Sequence, residues 1–182
     1  IQECGVKPEQ ILMATFTEKA AKELVTRITN ELAVRNIYVN VNEMYIGTFH
    51  SLCLRIIKDN LEFTQLKKNY RLLDSFDQKY LVFRNIQKFR NIADIELVMP
   101  NGGAWKWAEA ICGLVGTLTE ELVDADAMAK DSKTEIRVLS AILKQYQQLL
   151  TDENLIDFAK IQTECYRLLK ENPAILSDLQ EK

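Results

Sequence analysis

The chain has 182 residues, of which 47% are hydrophobic and 27% charged. That balance fits an ordinary folded protein with one large core or two small ones, and it excludes disordered, collagen-like and disulfide-scaffold classes. A formal net charge of −3 excludes a histone-like protein that holds nucleic acid by bulk charge.

The four cysteines, Cys4, Cys53, Cys112 and Cys165, lie far apart without a CxxC pair, and His50 is the only histidine. They read as reduced thiols packed in the core of a cytoplasmic protein, and no metal site is expected. No run approaches the ~18 to 20 apolar residues of a membrane span, so no membrane partner is expected, and the start IQECGVKPEQ does not read as a signal peptide. Ile1 falls in what reads as the tail of a helix, as in a piece of a longer protein.

In chain order, ILMATF at 11–16 is predicted to be a buried strand of a parallel sheet. Thr17 then caps a helix whose apolar positions are Ala20, Ala21, Leu24, Val25, Ile28 and Leu32. MYIGTF at 44–49 repeats the strand, and Leu52, Cys53, Ile56 and Ile57 form the stripe of a second helix. Two strands alternating with helices imply a parallel sheet. From about 61 the strand signal nearly vanishes. Phe76, Tyr80 and Phe83, then Ile136, Leu139, Leu143, Tyr146 and Leu150, mark helical stripes of an all-helical subdomain, interrupted by a loop at MPNGGAW, 99–105. A last long helix runs from Asp157 to Lys170 with Phe158, Ile161, Cys165, Leu168 and Leu169 on one face, and Pro173 opens a short one. The predicted fold class is α/β, predominantly helical: a partial parallel-sheet domain at 1–60, a helical insertion at 61–150 and a returning helical segment at 151–182.

The two strand ends carry the candidate chemistry. Thr15, Phe16 and Thr17 end the first, and Gly47, Thr48, Phe49, His50 and Ser51 end the second, each just before a helix. Strands in two successive strand–helix units should lie parallel, bringing both ends to one edge, where open parallel sheets bind ligands. Helix N-termini favour phosphate and an exposed Phe16 can stack on a base. On the residues alone, Phe16 as core and Thr17 as a plain cap is the simpler reading. Lys19, Lys22, Arg55, Lys58, Lys67, Lys68 and Arg71 read first as solvated faces, and Trp105 and Trp107 as packing groups.

Two long segments add a specific resemblance. ILMATFTEKAAKELVTRI resembles motif Ia, and MYIGTFHSLCLRII the following motif Ib, of the UvrD-type superfamily 1 ATP-dependent DNA helicases, the group of UvrD, Rep and PcrA. RLLDSFDQ at 71–78 is similar to the opening of that family's helical insertion. NLIDFAKIQTECYRLLKENPAIL at 154–176 is similar to its return. The resemblance spans nearly the whole chain and implies a RecA-like motor fold. It assigns DNA contacts to Thr15, Phe16, Thr48, Phe49, His50 and Ser51, with no catalytic residue and no metal ligand among the 182. Glu18 stands where many members carry Asn, so no DNA contact is carried to it. Ala159 likewise stands where relatives often carry an acid.

What the resemblance implies for the whole protein is 3′ to 5′ translocation on single-stranded DNA and unwinding at duplex junctions, in DNA repair or recombination, with the help of partner proteins. ATP and Mg belong to that whole protein: this chain lies between the Gly-rich and acidic nucleotide motifs and holds neither. Two other readings stand beside it. One is a helical protein-interaction module of a repair complex, the other part of an AddA- or RecB-like helicase–nuclease.

Overall fold

A computed structural model describes residues 5–181, so Cys4 lies outside the described residues. In chain order the elements are β1 (Leu12–Thr15), α1 (Glu18–Val34), β2 (Tyr45–Thr48), α2 (Phe49–Asp59), β3 (Arg71–Leu72), α3 (Ser75–Arg84), α4 (Ile86–Arg90), α5 (Ala104–Glu120), α6 (Ala125–Met128), α7 (Thr134–Asp152), β4 (Leu155–Ile156), α8 (Phe158–Glu171) and α9 (Pro173–Gln180). They form two compact units. The first is made by the described residues up to Asn60 together with those from Glu164 on, the second by Leu61–Thr163. Among the described residues no helix is long and apolar enough to cross a membrane.

In the first unit β1 and β2 pair in parallel, with Leu12 opposite Tyr45 and Thr15 opposite Thr48. Helices α1 and α2 pack on this ribbon. The α2 stripe is the buried one: Leu52, Cys53, Ile56 and Ile57 are all in the core, the leucine and the two isoleucines each worth roughly 1.5 to 3 kcal/mol when fully removed from water. Arg55 ties the helix to the start of β2. Its guanidinium lies over the Tyr45 ring, 3.8 Å from the centroid, and donates to the Met44 carbonyl at 2.7 Å.

The expectation of a buried first strand is corrected. Leu12 is 43% exposed and Ala14 is exposed too, while Ala21 is the one buried residue of α1. The run 11–16 is apolar enough to need cover, but β1 pairs only with β2 in a two-stranded ribbon, and its residues alternate between exposed and half-buried. Cys165 on α8, also buried, lies beside Cys53. Cys53, Cys112 and Cys165 are free thiols, all buried.

The second unit has the larger core. Helices α3, α5 and α7 pack together around Leu81, Val82, Ile111, Val115, Ile142, Leu143, Tyr146 and Leu150, with Phe89 and Ile95 beneath them. Asp74 caps α3, accepting from Phe76 N at 2.9 Å and Asp77 N at 2.7 Å. Three sequence expectations change here. The unit is not all-helical: β3 and β4 pair in parallel, Arg71 with Leu155 and Leu72 with Ile156, and strands of two residues are too short to show a period. Phe76, Tyr80 and Phe83 are not the core stripe of α3; they stand exposed, and Leu81 and Val82 on the other side enter the core. On α8, which begins in the second unit and ends in the first, the expected stripe is buried at Ile161, Cys165 and Leu168, whereas Phe158 is 50% exposed.

The ends of the second unit are stitched together. Asn154, in the left-handed region at φ 53°, accepts from Lys67 N at 2.9 Å and donates to the Asn69 side chain at 3.2 Å. Leu73 N donates to Ile156 O at 2.8 Å.

Candidate nucleic-acid interface

The parallel register sets Thr15 directly beside Thr48, and both strands pass into helices within three residues. Two turns of the same chemistry therefore meet at one edge of the ribbon. Each helix is capped by a threonine of its own turn. Thr17 Oγ1 accepts from Ala20 N at 3.1 Å, and Thr48 Oγ1 accepts from Ser51 N at 3.2 Å. Such a cap contributes about 1 kcal/mol and fixes where the helix starts.

The candidate side chains divide into two kinds. Phe16 is 105% exposed and Phe49 58% exposed, so two rings flank the joined turns with their faces in solvent. The hydroxyls look inward. Thr15 Oγ1 donates to Thr17 O at 3.1 Å, Thr48 is buried, and Ser51 Oγ donates to Thr48 O at 2.9 Å. His50 is half-buried at the first turn of α2.

The sequence carries no DNA contact to Glu18, and the structure gives it a structural role that the sequence did not indicate. Its carboxylate accepts from the Thr48 hydroxyl at 3.2 Å, so the first turn of α1 is bonded to the cap of α2 and the two strand ends are held as one. The only sequence signal for this is an acid at the first helical position after a strand end; the partner follows from the register. Beside the junction lies a groove of about 460 Å³ whose lining includes Glu18, Lys22, Thr26, Ile46, Gly47 and Ser51.

Of the cations considered, Lys19 and Lys22 stand exposed on α1 near these turns, and Arg55 is engaged with β2. Lys67, Lys68 and Arg71 belong to the second unit. The edge can thus offer aromatic faces, the positive ends of two helix dipoles and two lysines, a set suited to a single-stranded sugar–phosphate chain with unstacked bases.

The chain as a whole has relatives among known proteins. The chain is 30% identical over 178 residues to a probable DNA helicase II homolog of Mycoplasma capricolum, covering 97% of this chain and 23% of that protein. It is 28% identical over 178 residues to the ATP-dependent DNA helicase PcrA of Bacillus subtilis, covering 97% and 22%. Against the ATP-dependent DNA helicase SRS2 of Saccharomyces cerevisiae it is 28% identical over 176 residues, covering 90% and 15%. The chain spans about a quarter or less of the length of these relatives. The UvrD/REP helicase N-terminal domain matches it from residue 1 to residue 182, and the chain belongs to that family.

Proposed function

We propose that this chain is the part of an ATP-dependent 3′ to 5′ DNA helicase that holds single-stranded DNA during translocation and unwinding, in DNA repair or recombination. The observation that carries the reading is the junction of the two strand ends, with Phe16 wholly in solvent beside it. A phenylalanine with no cover loses the stabilisation that burial would bring, and a stacked base supplies the missing contact. Thr15, Thr48 and Ser51 act by holding the turns in place, Phe16 and Phe49 by offering their rings, and His50 by its position at a helix start where a phosphate sits. Relatives named as ATP-dependent DNA helicases support the whole-protein activity.

ATP and Mg have their place elsewhere in the whole protein. Among the described residues, both junctions from strand to α1 or α2 carry a Thr-Phe pair instead of a glycine-rich loop ending in lysine, so they do not fit a nucleotide triphosphate. No step of hydrolysis is assigned to these residues.

The test is Phe16→Ala in the 182-residue chain, read by anisotropy of a labelled oligothymidine. Loss of one stacked base should weaken binding by roughly 1 to 3 kcal/mol, about five- to 150-fold. Unchanged affinity, with circular dichroism showing the fold intact, removes the assigned role while leaving the geometry in place.

A further inference from the structure

Helix α3 carries two apolar faces. Leu81 and Val82 enter the core, while Phe76, Tyr80 and Phe83, at i, i+4 and i+7, share the opposite stripe and are 62%, 51% and 37% exposed. Trp105 at the start of α5, 38% exposed, completes the row. Its ring centroid is 6.0 Å from that of Phe76 and 5.5 Å from that of Phe83. Phe76 and Tyr80 lie parallel within 3° at 6.4 Å. Side chains of this size, exposed to that degree, present on the order of 400 Å² of continuous apolar surface, the size at which a patch on a monomer is often functional.

The surroundings narrow the occupant. Lys79, within the stripe, lies 3.5 Å from Glu109 on α5, and Arg84 beside it is paired with Glu153. A nucleic acid strand would find rings to stack on, but the α3 cations Lys79 and Arg84 are already paired with carboxylates, and phosphate contacts supply most of the affinity of such complexes. A second copy of the chain would need more area, since stable pairs bury about 800 Å² on each side. A single helix from a partner needs no free cations and fits a strip of this area as a weak, transient contact. The stripe rises roughly 10 Å along α3, two turns, and apolar side chains of one amphipathic helix at the same spacing can lie along it against Trp105.

We propose that the α3–α5 aromatic shelf is the docking surface for an amphipathic helix of a protein partner, which lays an uncharged stripe of aliphatic and aromatic side chains across the four rings. Rings held by mutual contact lose little freedom when covered, which is why aromatic anchors dominate such interfaces. The surface lies in the second unit and its occupancy is independent of the DNA reading.

Trp105 is a local reporter. The chain has two tryptophans, so Trp107→Phe leaves Trp105 alone. The probe is a synthetic helical peptide of about five turns, free of tryptophan and of net charge, with Leu and Phe on one stripe; its control has the same composition scrambled. The striped peptide should shift Trp105 emission saturably and bind at least about ten-fold more tightly than the control, a gap of ~1.4 kcal/mol. Phe76→Ser with Tyr80→Ser should abolish that preference while the melting curve stays cooperative. Equal binding of the two peptides to the chain with the four rings in place overturns the proposal whatever the substituted chain does. So does a stronger Trp105 response to oligothymidine than to the striped peptide, or self-association that disappears with the two serines.

Discussion

Gly47 shows how a single atom governs the junction. Its backbone is not left-handed; a Cβ there would overlap the Ser51 hydroxyl oxygen, the group that donates to Thr48 O at 2.9 Å. In Gly47→Ala the serine must rotate and give up that bond, a loss of about 0.5 to 1.5 kcal/mol. The lower backbone entropy of alanine in the unfolded chain returns roughly 0.4 to 1 kcal/mol. The net change alone is small, so the informative measurement is a double-mutant cycle by urea unfolding. Removing the hydroxyl in Ser51→Ala should make Gly47→Ala stabilising, with a coupling of about 1 kcal/mol between the sites. Strict additivity would show that the overlap is relieved some other way.

At the scale of elements, one buried hydroxyl links three parts of the second unit. Tyr146 on α7 donates to Asp157, just before α8, at 2.5 Å, and Gln78 on α3 donates to the Tyr146 hydroxyl at 2.9 Å. Burial, and after it the Asp157 charge, pushes the phenol well above its ordinary range. On α5, burial pushes the Cys112 thiol up to about 12. Both groups keep their protons in the folded state at a pH where the unfolded chain has lost them. Their contribution is therefore complete below the ordinary thiol and phenol pKa values, about 8.5 and 10, and is lost as pH rises beyond them. Urea midpoints followed by tryptophan fluorescence should fall from about pH 9 upward. Tyr146→Phe should start lower, because Asp157 loses a donor, and then fall less steeply above about pH 10. Parallel slopes in the two proteins would exclude the phenol as the cause.

Not every element was equally legible. The α2 stripe is correct because Leu52, Cys53, Ile56 and Ile57 share one side of the helix, and the ribbon it packs on takes that side into the core. On α3 the rings outweigh Leu81 and Val82 in apolar area, so periodicity selects the exposed side; it reports that a face is apolar without saying which face is covered. The adjacency of the two strand ends follows from two strand–helix units in succession, whereas the Glu18–Thr48 bond depends on the pairing register, which no local pattern carries.

For the whole molecule, a formal net charge of −3 means that the DNA contact proposed above would rest on a few groups against a background of weak repulsion. Binding of the 182-residue chain should be weak, should prefer a single strand, and should fall several-fold as salt rises from about 50 to 200 mM. Anisotropy titrations at the two ionic strengths measure this. Tighter binding to blunt duplex than to oligothymidine would contradict it.

The clasp made by Asn154 and by β3 with β4 has a topological consequence. Strands paired side by side and two residues long bring the two ends of the segment between them, Arg71 and Ile156, to within roughly 10 Å of each other. The enclosed helices then form a closed circuit of chain, with loop-closure entropy that rises only as the logarithm of its length. A circuit of that kind has no privileged starting point. Joined across the clasp by a few residues and opened instead at the Asn101–Gly103 loop, it would visit the same helices in rotated order and enclose the same core.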